Sequence, residues 1–246
     1  MTEWPPGGSD DLIETLQDRY LPDLGHVDMP GLLLDRRLGQ VALVSSFGTE
    51  SAALLHYVMT IRPGLPVVFI DTGRHFPETL AYRDLLAERL RLNLVTVGPD
   101  SALLAAEDKD GDLNESDPNM CCTLRKTFPL QDALASFDTW ISGRKRYQAD
   151  TRAALPAIER DGAHLKINPF VFWQKDDIAA YFEAHGLPRH PLEGRGYLSI
   201  GCEPCTRPVC PGEDARAGRW AENPDKTECG IHLGPDGRFA RAGRRS

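Results

Sequence analysis

Residues 40–61 read "QVALVSSFGTESAALLHYVMTI". The first eight form a short apolar run, which predicts a buried strand. The remainder, "GTESAALLHYVMTI", predicts a helix entered through small polar residues. A strand that turns directly into a helix is half of a βαβ unit, and the next segments repeat it. "LPVVFIDTG" (65–73) predicts a second buried strand. "PETLAYRDLLAERL" (77–90) predicts a second helix, with Pro77 suited to its first turn. "LNLVTV" (92–97) and "DTWISG" (138–143) predict a third and a fourth strand. This alternation points to an α/β fold, a mostly parallel sheet covered by helices on both faces.

Upstream, "DDLIETLQDRY" (10–20) places Leu12, Ile13, Leu16 and Tyr20 on one side of a helix, with Ser9 or Asp10 available as its cap. Downstream, "WQKDDIAAYFEAHGLP" (173–188) predicts another helix, with Gly186 at its C-terminal cap and Pro188 beyond. From Gly194 onward Gly, Pro and Arg dominate, so loops and a loosely held tail are expected. Residues 1–220 are therefore read as one α/β domain and 221–246 as a mobile C-terminal tail. No internal repeat or heptad is present.

The 246 residues suffice for a substantial core, and 41% hydrophobic with 26% charged residues is ordinary for a globular chain. No apolar run approaches the roughly 20 residues of a membrane helix. The first residues, "MTEWPPGGSDD", lack a basic n-region and an apolar h-region, so no signal peptide is expected and a cytoplasmic location is. In that compartment six cysteines point to ligands or redox groups rather than to a disulfide framework. A net charge of −8 argues against nucleic acid as a partner. Two basic islands stand out, "GRKRYQADTR" (143–152) and "RFARAGRRS" (238–246). Each reads either as a seat for a small anion or an acidic partner, or as a solvated face.

In an open parallel sheet, ligands bind beyond the carboxyl ends of the strands. Those ends here read "SSFGTES" (45–51) and "DTGRHF" (71–76). Hydroxyls and backbone N–H groups at the start of a helix make an anion seat, although the same residues also serve as plain caps. The G-x-x-x-x-G-K pattern of a Walker A loop is absent. The cysteines are Cys121, Cys122, Cys202, Cys205, Cys210 and Cys229. "GCEPCT" is a C-x-x-C, whose two thiolates can face one metal. With the adjacent pair Cys121–Cys122 it supplies four thiolates, a set suited to zinc or to an iron–sulfur cluster. Neighbouring cysteines can each take a different iron, which favours a 4Fe–4S cluster. A rival set is the local cradle of Cys202, Cys205 and Cys210. Cys229, in "KTECGIHLGPDG" (226–237), stands apart. It is either incidental or a nucleophile served by nearby arginines such as Arg216 and Arg219.

Taken together, "SSFGTES", "FIDTGRHFPET", "CCTLRKTFPL", "ISGRKRYQADTR", "YLSIGCEPCT", "PGEDARAGRW" and "ECGIHL" resemble the assimilatory adenylyl-sulfate (APS) and phosphoadenylyl-sulfate (PAPS) reductases. The resemblance is to the bacterial, iron–sulfur-containing APS reductase branch and runs from about residue 40 to "ECGIHL". The pairing of "CC…CxxC" with "ECGIHL" is its most specific part.

The resemblance implies a Rossmann-like, adenine nucleotide α-hydrolase-like fold. It implies one 4Fe–4S cluster per subunit on Cys121, Cys122, Cys202 and Cys205. It makes Cys229 the nucleophile that attacks the sulfur of APS, so that AMP leaves and an S-sulfocysteine remains. Reduced thioredoxin, or a glutaredoxin-like donor, then releases sulfite for sulfate assimilation and cysteine biosynthesis. The resemblance assigns substrate binding to Lys126, Arg152, Arg216 and Arg219, and in the same basic loop to Arg144 and Arg146. Ser45, Ser46, Gly48 and Thr49 would cradle the anion, and Asp71, Thr72 and Gly73 would lie where adenosine sits. A homo-oligomer is implied, with no nucleic acid and no membrane among its partners. PAPS reduction is the near alternative, because some cluster-bearing relatives use that nucleotide. A sulfur-inserting or adenylating enzyme of the related ATP pyrophosphatase fold is the distant one. Glu50, where that fold's S-G-G-x-D-S loop has Asp, argues against ATP cleavage. A non-catalytic zinc module is a third reading, and Cys210 has no place in the family pattern.

Overall fold

The computed structural model describes residues 10–21, 27–149, 152–223 and 226. Its centre is a six-stranded sheet ordered β3-β2-β1-β4-β6-β5. The strands are β1 (Val41–Val44), β2 (Pro66–Ile70), β3 (Asn93–Val97), β4 (Thr139–Ile141), β5 (Ile158–Asp161) and β6 (His164–Ile167). Every neighbouring pair is parallel except β5 with β6.

The four expected strands are all present, each shorter than its expected run. β1 and β2 are almost wholly buried, as their continuous apolar runs require. The helices are α1 (Asp10–Tyr20), α2 (Met29–Leu33), α3 (Ser51–Ile61), α4 (Pro77–Arg89), α5 (Ser101–Glu107), α6 (Leu113–Ser116), α7 (Pro118–Cys122), α8 (Phe128–Leu134) and α9 (Lys175–Ala184). On α1, Leu16 and Tyr20 are buried and Leu12 and Ile13 pack partly against the same core. α9 stops at His185, and Gly186 follows in the left-handed conformation at φ +55, as an αL helix stop requires.

The main core lies on one face of the sheet, between α3, α9 and the strands, with Leu43, Phe69, Leu55 and Phe182 buried. A smaller core of Ala42, Val68, Leu130, Leu134 and Trp140 lies on the other, beneath α8. Both faces are thus covered, as expected.

Besides the short α2, two features were not foreseen. The first is the β5–β6 hairpin, whose turn passes through Gly162 at φ +63. The second is the run of short helices between β3 and β4. α7 begins at Pro118, and the Asp117 carboxylate accepts from the N–H groups of Asn119 and Met120. It then widens into a π turn over Thr123–Thr127 before α8. Pro129 has no N–H to return to the preceding turn. The Phe128 N–H instead reaches back five residues to the Thr123 carbonyl. Among the described residues no helix is long and apolar enough to cross a membrane. The expected tail, residues 221–246, lies outside the described residues except for 221–223 and 226.

Candidate active site

The chain runs from β1 outward through β2 to β3 and then returns to the other side of β1 as β4. The crevice between the ends of β1 and β4 is therefore the topological switch point, where α/β sheets of this kind hold ligands. A cleft of about 470 Å³ opens there.

One wall is the turn that follows β1. Ser45 is buried and its Oγ accepts from the Phe47 N–H at 3.2 Å. Phe47 adopts φ +51, a conformation that disfavours a bulky residue. Its ring is fully buried edge-on against Phe69, 5.4 Å between centroids, and this packing holds the strained turn in place. Ser46, Gly48 and Thr49 follow along the cleft, and Thr49 Oγ1 donates to the Leu198 carbonyl at 3.1 Å. Glu50 occupies the cap position of α3 without capping it, so α3 opens into the cleft with no side-chain cap. Its N-terminal dipole favours an anion.

The opposite wall follows β4 with Ser142, Arg144, Lys145, Gln148 and Arg152. Arg144 pairs with Glu159 of β5, whose Oε1 also accepts from Asn168 Nδ2 at 2.8 Å. The third side comes from the loop after residue 194. Arg216 and Arg219 both line the cleft. Arg219 Nη1 donates to the Ile200 carbonyl at 3.1 Å, and its guanidinium lies 4.4 Å from the centroid of the Trp220 ring. Three nitrogens on cleft-lining residues, Arg144 Nε, Arg219 Nε and His75 Nδ1, are buried without a hydrogen-bond partner among the described residues. Leaving such groups unmet costs about 1–3 kcal/mol each, which a bound polar ligand or water removes.

Beside the cleft lies a second, small pocket. Cys121, Cys122, Cys202 and Cys205 all line it, with Arg74, Arg125 and Lys126. The C-x-x-C segment is pinned beneath the loop after β2. Cys202 forms a bridge with His75, and the Glu203 N–H donates to the Arg74 carbonyl at 2.8 Å. Cys202 Sγ lies 3.4 Å from Thr72 Oγ1.

Burial pushes the Cys202 thiol up, but the Lys126 charge, the Thr72 and Lys126 hydrogen bonds and Arg219 outweigh it and bring the thiol below its ordinary value. Burial, then Cys122, pushes Cys121 up to about 11. Burial and Cys202 likewise raise Cys205. Four soft sulfur donors on one pocket are the ligand type that a thiolate-bound metal group takes. The donor set therefore fits a thiolate-bound metal group. Among the described residues no three His, Cys, Asp or Glu side chains close on a single ion, and the quartet surrounds a pocket instead. Lys126 and Cys202 line both the pocket and the cleft and so form the wall between them.

Of the residues expected to bind substrate, Ser45, Ser46, Gly48, Thr49, Thr72, Lys126, Arg144, Arg152, Arg216 and Arg219 line this one cleft. Asp71, Gly73 and Arg146 do not. Asp71 Oδ1 accepts from the Gly73 N–H at 3.0 Å, closing a turn with Gly73 at φ +68. Arg146 Nε donates to the Leu155 carbonyl at 2.9 Å, and its guanidinium covers Phe172. Cys229 lies outside the described residues. Cys210, of the rival cradle, is exposed and does not line the cysteine pocket, and its N–H donates to Glu213 at 2.8 Å. Glu50, His75, Tyr147, Gln148, Lys175 and Glu193 also line the cleft, although the motifs did not mark them as ligand-binding.

Residues 40–208 match the phosphoadenosine phosphosulfate reductase domain. Over 195 residues the chain is 53% identical to an adenosine 5'-phosphosulfate reductase of Mesorhizobium japonicum, covering 79% of this chain and 76% of the relative. A namesake from Mycolicibacterium smegmatis is 38% identical over 226 residues, covering 90% and 95%. Among solved structures, a phosphoadenylyl-sulfate reductase from Candida auris, a phosphate complex, aligns with a TM-score of 0.66 at 25% identity, covering 81% and 98%. Yeast FAD synthetase aligns at 0.51 and 17% identity, covering 79% and 73%, a likeness of fold alone.

Proposed function

The chain belongs to the phosphoadenosine phosphosulfate reductase domain family, and from that premise we propose that it reduces adenosine 5'-phosphosulfate to sulfite and AMP. The observation that carries this reading is the shared wall. Lys126 and Cys202 stand between a pocket of four cysteines and a cleft lined with cations at the switch point. The leaving group is a phosphate and the transferred group a sulfonate, so both need fixed positive charge where negative charge develops. Lys126, Arg144, Arg152, Arg216 and Arg219 supply it, with the turn of Ser45, Ser46, Gly48 and Thr49 beside them. Thr72 lies on the same cleft, at the end of β2 where the adenosine is placed in this reading.

Cys121, Cys122, Cys202 and Cys205 would hold the 4Fe–4S cluster, which in this reading contributes structure and local charge next to Lys126. A set of four thiolates on one pocket suits such a cluster. The Cys229 thiolate attacks the sulfur of the substrate, the sulfur–oxygen bond to phosphate breaks, and AMP leaves with that oxygen and its electron pair. One thiolate of reduced thioredoxin then attacks the Cys229 sulfur, and sulfite departs with the electron pair of the broken sulfur–sulfur bond. The second thioredoxin thiol closes its disulfide, regenerates the Cys229 thiol and completes the two-electron reduction.

The test is Cys229→Ser, purified without air. It should keep the iron, sulfide and visible absorbance of the wild type while producing no sulfite from the nucleotide and reduced thioredoxin. Cys202→Ser should lose the iron. Sulfite production by Cys229→Ser, or loss of its colour, overturns the assignment. Running the assay with both the 3'-hydroxyl and the 3'-phosphate nucleotide separates the named activity from its near alternative.

A further inference from the structure

We infer that Gln148 is a positioning residue for Arg152, holding that guanidinium to the anion cradle through Glu50; the inference rests on the cleft being the nucleotide site.

Glu50 sits at the head of α3 yet gives its own helix no side-chain cap. Its carboxylate crosses the crevice to the segment after β4. There it accepts from Lys145 Nζ at 2.9 Å, from Gln148 Nε2 at 2.8 Å and from the Tyr147 hydroxyl. Gln148 carries the contact onward. Its Oε1 accepts from Arg152 Nη1 at 2.6 Å and from the Lys145 N–H at 3.1 Å. The orientation of the amide is fixed by its partners. A carboxylate can only accept, so the amide nitrogen must face Glu50; a guanidinium can only donate, so the oxygen must face Arg152. The chain of contacts thus runs from the β1–α3 turn to Arg152 across about 100 residues of sequence.

The choice of a neutral amide matters. A carboxylate at 148 would satisfy Arg152 but would oppose Glu50 and neutralise the positive charge that Arg152 turns toward an anion. An apolar residue would leave the Glu50 and Arg152 groups without this link. Gln148 aims the guanidinium without placing a negative charge of its own beside it.

The experiment is a double-mutant cycle on the full-length holoenzyme, with AMP affinity by titration calorimetry as the readout beside steady-state kinetics. Gln148→Met should weaken AMP about tenfold and raise KM for the phosphosulfate by a similar factor, with kcat within about twofold, as loss of uniform binding predicts. Arg152→Ala should weaken AMP further. In the Arg152→Ala background, Gln148→Met should add less than about twofold, because the group it positions is gone. Factors that simply multiply, or a Gln148→Met protein that binds AMP like the wild type, overturn the inference. Should Gln148→Met not fold, Gln148→Ala enters the same cycle with the same expected non-additivity. A wild type that neither binds AMP nor makes sulfite defeats the functional reading itself. A working wild type with a multiplicative cycle defeats only the role of Gln148.

Discussion

Arg219 crosses over Gly201, where an added Cβ would lie 2.1 Å from the guanidinium nitrogen Nη2. The side chain is flexible, so the fold can tolerate Gly201→Ala, but the guanidinium must leave its place between the Ile200 carbonyl and the Trp220 ring. KM for the phosphosulfate is expected to rise about tenfold, the size of one charge-assisted contact, with little change in thermal midpoint. Kinetics and a melting curve on the same preparation check it; an unchanged KM would remove Arg219 from substrate binding. At this scale the sequence was most legible where chemistry is local. The paired cysteines and the C-x-x-C read as one set of thiols, and all four line one pocket. Glu50 and Gln148 could not be seen, because a hydrogen bond between residues 98 apart leaves no periodic trace. Arg146 shows the opposite limit. Its basic island was read as lining an anion site, but the direction of one side chain depends on packing, and Phe172 and the Leu155 carbonyl capture it.

Among elements, those with an apolar run or a helical period were legible and the rest were not. β1, β2 and α3 carry continuous hydrophobic stretches because both sides of the sheet are covered. α5 and α6 bury no residue at all, so no hydrophobic period marks them. Asp100 does cap α5, accepting from the Leu103 N–H at 2.7 Å, but in sequence such an aspartate reads equally as loop. The β5–β6 hairpin carried a local signal, Asp161-Gly162, that went unread between two short runs. The loop after residue 194 was expected to be irregular, and it is, yet it is tied down. Thr206 bridges Arg219, the Arg207 N–H donates to the Gly218 carbonyl at 2.9 Å, and the Trp220 N–H donates to the Cys205 carbonyl at 3.0 Å. Gly218 is the tight point, since a Cβ there would lie 2.1 Å from the Arg207 carbonyl oxygen, which is backbone and cannot step aside. Gly218→Ala should therefore cost about 1–3 kcal/mol in denaturant melts and lower the iron content, because the Cys205 turn hangs on the same ladder. Stability and iron equal to the wild type would show the ladder to be dispensable.

For the molecule as a whole, charge is unevenly spread. The chain carries 36 acidic residues against 28 lysines and arginines, while cations gather around the cleft. As pH falls, many exposed carboxylates titrate together, and their combined effect hides any single group. His190 is buried, 1% exposed, and is the histidine to follow. Its Nδ1 accepts from the Leu192 N–H at 3.2 Å, so the ring proton sits on Nε2, which donates to Thr79 Oγ1 at 3.2 Å. Both ring nitrogens are satisfied only in the neutral form. Burial, against a weaker pull from Glu78, pushes its pKa down to about 4. An unfolded histidine titrates near 6.5, so between about 6.5 and 4 the unfolded state holds a proton that the native state refuses. Stability from this group is complete above that window and drains away as pH falls through it. His190→Gln removes the titration while keeping an amide that can donate and accept. The difference in unfolding free energy between wild type and variant, followed by urea melts at several pH values, should therefore shrink steadily from pH 7 to pH 4. The surface carboxylates are common to both proteins and cancel in that difference. A constant difference would mean that His190 accepts its proton in the folded protein as readily as in the unfolded chain.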